Sequence, residues 1–124
     1  MDFKKVKGDG PERISVEMLD PVLGPGAAAA AVAPITVTPP GLQCQAELFL
    51  GPDENTKVAS SGLVAFTSTG VAQSVSFPVT MPSPGGAAYH VYLDVFADGY
   101  LIVAYIATED VVIPSGEVGP IVWT

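Results

Sequence analysis

The residues with the greatest chemical reactivity in this sequence are a single cysteine, Cys44, and a single histidine, His90. Cys44 alternates with Ala46 and Leu48 on the apolar side of a strand-like pattern, where free cysteine usually packs as a small hydrophobic side chain. A buried thiol with no base beside it is a poor nucleophile, and no histidine lies near Cys44 in the sequence. We therefore predict that Cys44 packs in the core.

His90 and Asp94 lie four residues apart in a second alternating segment. Positions i and i+4 of a strand are about 13 Å apart, which is too far for a hydrogen bond. His90 can therefore meet a carboxylate only from another part of the chain. Because no neighbour marks it as a base, we predict an exposed or interfacial histidine.

Paired acidic residues stand at 53–54 and 109–110 and, together with Asp98, offer oxygen ligands of the kind that calcium prefers. They lack the D-x-D-x-D-G spacing of a dedicated calcium loop, so we interpret them as solvated turn residues. One cysteine and one histidine exclude an internal disulfide and a structural zinc site. No phosphate-binding glycine motif occurs. We predict no catalytic residue, no metal ligand and no cofactor, and hence no enzyme.

Charge is distributed unevenly along the 124 residues, which carry 5 Lys and Arg against 13 Asp and Glu and a formal net charge of −8. Lys4, Lys5, Lys7 and Arg13 all lie in the first thirteen residues, and Lys57 is the single remaining cation. Without a basic stripe in the acidic remainder, we expect no nucleic-acid partner and no binding to anionic membranes. No signal-peptide core and no apolar run of about 20 residues occurs, so we expect synthesis without a signal peptide.

Two-residue alternation of apolar and polar side chains dominates the chain, which is typical of half-buried strands. The clearest example is 89–107, where two aromatic-rich segments flank Asp98-Gly99, the sequence of a tight hairpin turn with positive φ at both positions. Pro78 interrupts another segment and predicts an edge strand or a bulge, because proline donates no ladder hydrogen bond. These patterns predict an all-β fold: a single antiparallel β-sandwich of about seven to nine strands. The candidate strand segments are 14–19, 30–38, 43–50, 57–59, 63–66, 71–80, 89–96, 100–107, 111–113 and 121–124, of which the shortest are the least regular.

The predicted organisation has three parts: an extended N-terminal arm over 1–12, the sandwich over 13–117, and a C-terminal strand or arm over 118–124. Four aromatic residues are candidates for contact with a partner: Tyr92, Phe96, Tyr100 and Trp123. Alternation gives the 89–105 hairpin aromatic side chains on both faces, so one set fills the core. The other set either packs under a loop or faces a partner, and Trp123 either packs on its own sheet or inserts into a neighbouring subunit.

The segment 85–95, GGAAYHVYLDV, followed by Asp98-Gly99, resembles the G-x-Y-x-V-x-L-x-V … D-G hairpin of immunoglobulin-like modules related to bacterial cell adhesion. Similar sandwiches occur in phage decoration and tail proteins. The resemblance implies an immunoglobulin-like sandwich that binds through its surfaces and carries no shared catalytic motif. The usual immunoglobulin disulfide is absent, and Trp123 does not occupy the position of the usual core tryptophan.

We expect a non-enzymatic structural protein that assembles with copies of itself or decorates a larger particle, such as a virion, a phage head or tail, or a filament. Its partner is then a homo-oligomer or a larger protein assembly, located in a virion or an extracellular assembly. The alternative is a secreted adhesion module, or a carbohydrate- or protein-binding module, that forms part of a longer surface protein.

Overall fold

A computed structural model describes residues 1–17 and 20–123, and these residues contain strands and turns and no helix. The prediction of an all-β antiparallel sandwich is confirmed. Ten strands are present in the described ranges, more than the seven to nine expected. They are β1 (Asp2–Gly8), β2 (Arg13–Ser15), β3 (Ala28–Ile35), β4 (Gln43–Gly51), β5 (Ala59–Ser60), β6 (Val64–Thr67), β7 (Gln73–Thr80), β8 (Ala87–Ala97), β9 (Tyr100–Ala107) and β10 (Val111–Ile113).

The strands form two layers of very different width. The larger sheet has the order β2-β1-β9-β8-β4-β5, with β6 also paired to β4 and β10 also paired to β8. The smaller sheet consists of β3 and β7 alone. Every pairing between named strands is antiparallel. Because β7 pairs only with β3, it is an edge strand, as Pro78 predicted.

The hairpin between β8 and β9 turns at Asp98-Gly99, where φ is 50° and 82° respectively. Positive φ at both positions is what a tight two-residue hairpin turn requires, and the prediction from these two residues is confirmed. The turn places Ala97 opposite Tyr100. The pairing register of β8 with β9 then shifts once, between Val95 and Phe96. The register continues into β4, so β8 is the central strand of the larger sheet.

The core lies between the two sheets and is built from alternate positions of the strands. In β4 these are Cys44, Ala46, Leu48 and Leu50, all buried, which confirms the predicted apolar face and the packing role of the thiol. The smaller sheet contributes Val75, Phe77 and Val79 of β7 and the small side chains Ala31 and Ala33 of β3. Strands β8, β9 and β1 complete the core with Val91, Leu93, Val95, Val103, Tyr105 and Phe3.

Residues 1–12 do not form a separate arm. Strand β1 is integrated into the larger sheet between β2 and β9, and Phe3 is fully buried opposite Ala107. The segment was predicted to be an arm because only Phe3 among Asp2–Gly8 is buried, so its own pattern is mostly polar. Its strand conformation comes from pairing with β9, a long-range contact that local propensity does not report.

Ser68 joins two of the places where the chain crosses between the sheets, those after β3 and after β6. Its hydroxyl donates to the carbonyl of Pro39 at 2.7 Å and accepts from the amide of Leu42 at 2.8 Å. Its backbone amide donates to the Leu42 carbonyl, and its carbonyl accepts from the amide of Gly41. The side chain is 3% exposed. Four hydrogen bonds on one residue therefore hold both crossings together.

The C-terminal residues 114–123 leave the sandwich without forming a strand. The strand expected over 118–124 is therefore not formed as far as Trp123, and Thr124 lies outside the described residues. Of the first predicted strand, Arg13–Ser15 forms β2 and Val16 is buried beside it, whereas Met18 lies outside the described residues.

Candidate functional site on the outer face of the larger sheet

The larger sheet has a second face, which points away from β3 and β7 and is called the outer face here. Cross-strand register places side chains on it in two rows. One row runs Lys7–Ala104–Asp94–Glu47 across β1, β9, β8 and β4. The next row runs Arg13–Lys4–Ile106–Tyr92–Phe49 across β2, β1, β9, β8 and β4. Polar and charged side chains thus share this face with aromatic ones.

Glu47 is the most deeply buried charged residue on the outer face, at 8% exposure. The ammonium of Lys57 lies 2.6 Å from one carboxylate oxygen, and the hydroxyl of Ser60 donates to the other at 2.5 Å. A buried carboxylate is tolerated when its oxygens are hydrogen-bonded and its charge is paired. Glu47 is therefore anchored in a structural ion pair.

The turn over residues 52–58 folds back over this part of the face. The Val58 amide donates to the Leu50 carbonyl at 2.8 Å, and the Asn55 amide donates to the carboxylate of Asp53 at 2.9 Å. A side chain at Gly51 would collide with the Thr56 carbonyl oxygen, so the close return of the turn requires glycine there.

Two aromatic rings are packed beneath this turn. The rings of Phe49 and Tyr92 stack with centroids 5.0 Å apart, and the ammonium of Lys57 lies 4.6 Å above the Phe49 ring. Both rings are nearly inaccessible, with Phe49 at 1% and Tyr92 at 9% exposure. The sequence left open whether Tyr92 packs under a loop or faces a partner. In the structure it packs under a loop of its own chain.

Asp94 lies directly opposite Glu47 and is partly buried. Burial raises the pKa of its carboxyl group, the negative charge of Glu47 raises it further, and the nearby Lys57 and Lys7 oppose this shift. Among the described residues Asp94 takes part in no ion pair. Its carboxylate is therefore available to an incoming group.

A cleft of about 190 Å³ opens beside Asp94. Its floor includes Tyr92, Asp94 and Ala104, while β1 contributes Lys7 to its lining and the 52–58 turn contributes Glu54. A positive and a negative group therefore border one small polar cleft. Charges placed in this way can orient a small polar ligand.

His90 meets a carboxylate from a distant part of the chain, as the strand geometry required. Its Nδ1 lies 2.7 Å from the carboxylate of Asp110, and both side chains are nearly half exposed. Asp110 lies in the short segment between β9 and β10, which run along the same edge of β8. The His90 ring also packs edge-on against Tyr92 at 6.2 Å, which extends the cluster to the rim of the outer face.

The four predicted contact residues occupy different environments. Tyr92 is buried, and Phe96 is half-buried between Gln45 and Leu101 on the outer face. Tyr100 is 76% exposed beside the hairpin turn, and Trp123 is 89% exposed. The structure therefore does not bring the four together into one patch.

Cys44 borders a second cavity, of about 460 Å³, at the end of the sandwich formed by the β8–β9 turn and β6. Burial raises the pKa of the Cys44 thiol, and the negative charge of Asp98 adds to this effect. The described residues contain no group of three or more His, Cys, Asp or Glu side chains placed to share a metal ion. Within the same ranges, no helix has the length and apolar character needed to cross a bilayer.

Sequence reasoning missed Glu47, Lys57 and the cleft. Alternation assigns Glu47 and Phe49 to the side of β4 away from the core, and the sequence pattern alone does not show that a turn folds over that side. The adjacency of Gly51 to a polar turn is the one signal that points to a chain reversal over this face.

No protein-family model, no curated protein sequence and no solved structure matches this chain in the three comparisons made. Arguments about its function therefore depend on the chemistry and exposure of its own residues.

Proposed function

We propose that the chain is a non-enzymatic structural protein, an immunoglobulin-like sandwich that assembles with copies of itself or decorates a larger particle. The observation that supports this proposal is the exposed apolar segment at the C-terminal end. Val118, Ile121, Val122 and Trp123 are 88%, 73%, 80% and 89% exposed. Contiguous exposed apolar side chains of this kind are typical of interaction sites.

Trp123 is the strongest candidate for an anchor in this segment. Tryptophan is enriched among the residues that contribute most binding energy when they enter a pocket on a partner. Tyr100, 76% exposed at the far end of the β8–β9 hairpin, offers a second aromatic contact. Phe96 and Leu101 lie near it on the outer face and extend the apolar surface.

Free sheet edges provide a surface on which such a segment can dock. β7 is an edge strand of the smaller sheet, and β2 is the last strand of the larger one. Edge strands present backbone groups without ladder partners, to which an extended segment can add. Pro120 donates no hydrogen bond, so we expect the added strand to be confined to 121–123.

The N-terminal residues have no part in this mode of assembly. β1 already pairs on both sides within its own sheet, so it has no free edge to lend to a neighbour. Deletion of 1–12 would remove the buried Phe3 and unfold the domain, and it cannot serve as a test of assembly.

The test is truncation after Gly116, which removes only residues outside the strands. We expect the truncated chain to keep its β-type circular dichroism spectrum and its melting temperature within a few degrees, and to lose the larger oligomers, beyond a dimer, that the full chain forms. Mass is measured by size-exclusion chromatography with light scattering. A truncated chain that assembles as the full chain does would refute the proposal.

The wider setting of this proposal is a virion, a phage head or tail, or a filament, or another extracellular assembly. Its partners are protein, with neither nucleic acid nor membrane among them. The excess of acidic residues and the resemblance of 85–99 to immunoglobulin-like modules support this setting.

A second candidate function is a secreted adhesion module, or a carbohydrate- or protein-binding module, and the cleft beside Asp94 favours it. Lys7, Asp94 and Glu54 supply donors and acceptors around the cleft, which is a suitable environment for a small polar ligand such as a sugar. Titration with mono- and disaccharides, followed by amide NMR shifts, tests this candidate. Shifts confined to the cleft and abolished in Lys7→Ala would support it, and a spectrum unchanged by every sugar would refute sugar binding.

A further inference from the structure

The positive charges of this acidic protein are concentrated on one side of the outer face. Lys4, Lys7 and Arg13 project from β1 and β2, and all three are exposed. The other two cations are engaged within the chain, Lys5 with Glu12 at 3.1 Å and Lys57 with Glu47 at 2.6 Å. Three of the five Lys and Arg residues are therefore available on a single strip.

The opposite side of the same face is negative. Glu54 and Asp53 are exposed in the 52–58 turn, which follows β4 and folds back over the face, and Asp94 lies on β8. The strands β1 and β4 are three intervals apart, roughly 15 Å at about 4.8 Å per strand. The turn bridges part of this gap, because Lys7 and Glu54 line the same cleft. Lys4 and Arg13 do not line this cleft and remain available to a partner.

Apolar side chains lie between and beside the two charged sides. Ile106 and Phe96 are half-buried, and Leu101 is 39% exposed. A partner that covers this face must therefore offer a negative region, an apolar band and a positive region, in the reverse order. The outer face of a second copy meets this requirement when it is turned over.

We propose that the outer faces of two copies pack against each other about a two-fold axis that runs parallel to the strands. This rotation places Lys4 and Arg13 of each copy over Asp53 and Glu54 of the other and brings the two Ile106–Phe96 bands into contact. A two-fold interface is self-complementary, so one dipolar face satisfies both halves. An axis perpendicular to the strands would oppose like charges. The inference rests on the proposed function in one respect, that the partner is a copy of this chain.

The test uses full-length chains with charge reversals at the two sides. Lys4→Glu/Arg13→Glu reverses the positive strip, and Glu54→Lys/Asn55→Lys reverses the negative turn while leaving Asp53 to hold its backbone hydrogen bond. Ser74→Glu/Ser76→Glu on the exposed side of β7 is the control for added negative charge away from this face. Circular dichroism and melting curves establish that each variant is folded.

Sedimentation velocity at 0.15 M salt measures the dimer. Each reversal alone is expected to weaken dimerisation at least tenfold, and an equal mixture of the two is expected to restore it as a heterodimer. The control variant is expected to dimerise as the original chain does. The Glu54→Lys/Asn55→Lys variant also separates local from overall electrostatics. It makes the net charge of −8 less negative, so association would become stronger if overall repulsion between copies were decisive.

The same measurements in an Ile121→Ser/Trp123→Ser background separate this inference from the proposed function. We expect the dimer and its response to charge reversal to persist there, while larger oligomers disappear. Three results would overturn the face-to-face dimer. The chain could remain monomeric in that background, the charge-reversal variants could dimerise normally, or the mixture of the two variants could fail to form the heterodimer. Larger oligomers that survive the tail substitutions would instead contradict the role of the C-terminal segment.

Discussion

Glu47 and Asp94 occupy directly opposed positions on β4 and β8, with both carboxylates on the same face of the sheet. Glu47 has an ammonium 2.6 Å away and a serine hydroxyl on its second oxygen. Asp94 shares the environment of this negative charge without an ion pair of its own among the described residues. Like charges opposed on neighbouring strands destabilise a sheet, and here only one of the two is compensated.

Asp94→Asn is expected to stabilise the protein at neutral pH. Burial raises the pKa of Asp94 in the folded state above its ordinary value of 3.8, so the folded protein binds more protons than the unfolded chain between these two pKa values. Stability contributed by this residue therefore falls as pH rises through that interval, and the ionised carboxylate costs stability at pH 7. Because the group is partly solvated, we expect a gain of about 0.5 kcal/mol at pH 7 and almost none at pH 3, measured by urea unfolding. A variant less stable at pH 7 would contradict this account.

Glu47→Gln, the matched change on the opposing strand, is expected to act in the opposite direction. It leaves the Lys57 ammonium without its carboxylate and weakens the acceptor of Ser60. Loss of a partly buried charged hydrogen bond costs about 1–2 kcal/mol. Urea unfolding at pH 7 measures the loss. If Glu47→Gln and Asp94→Asn had effects of the same sign, the two carboxylates would not have the separate roles described.

Phe3→Ala is expected to destabilise the domain by about 3–5 kcal/mol, because truncating a fully buried phenylalanine leaves a cavity. Lys4→Ala, at the adjacent exposed position of β1, is the control and should cost less than about 0.5 kcal/mol. Thermal melting of both variants checks the difference. Similar melting temperatures for the two would mean that β1 is only loosely attached to the sheet.

The sequence predicted the central strands of the larger sheet but not the strand formed by its N-terminal residues. Strands β8 and β9 were predicted because Asp98-Gly99 is a local turn signal and because the side chains that flank it alternate regularly. β1 was missed because its alternation is obscured by three lysines, and its strand is completed only by contact with β9, about a hundred residues away. Non-local pairing of this kind leaves little trace in a single sequence.

The candidate site was even less accessible to sequence reasoning. Tyr92 was recognised as an aromatic on the second face of its strand, but the choice between a loop cover and a partner depended on the 52–58 turn. The partner of His90 was correctly required to come from elsewhere, yet nothing in the sequence identified Asp110. The direction of a polar turn over a sheet is set by tertiary packing, which composition and spacing do not encode.

Gly99→Ala is expected to cost about 1 kcal/mol. The residue has a φ of 82°, which alanine adopts only with strain, while the space around its Cβ position is open. The cost is therefore conformational and is not due to a clash. Asp98→Asn is the control, because asparagine also tolerates positive φ, and should be nearly neutral. Chemical denaturation measures both, and a neutral Gly99→Ala would show that the turn relaxes to another type.

Cys44 is expected to react slowly with a thiol reagent such as DTNB in the folded protein. The side chain is 2% exposed, and burial raises the pKa of its thiol, so little thiolate is available at neutral pH. Unfolding in urea should accelerate labelling by roughly a hundredfold or more through the gain in access. Phe66→Ala, at the position that pairs with Cys44 in β6, opens the cavity beside it and should speed native-state labelling. Rapid labelling of the unmodified folded chain would contradict the packing role.

The junction at Ser68 has a mechanical consequence. Two of the passages of the chain between the layers, from β3 to β4 and from β6 to β7, meet at this residue, and its four hydrogen bonds tie one end of the two-stranded sheet to the larger sheet. Breaking them frees both passages at once. We therefore expect the two-stranded sheet to unfold together with the larger sheet, in one cooperative step.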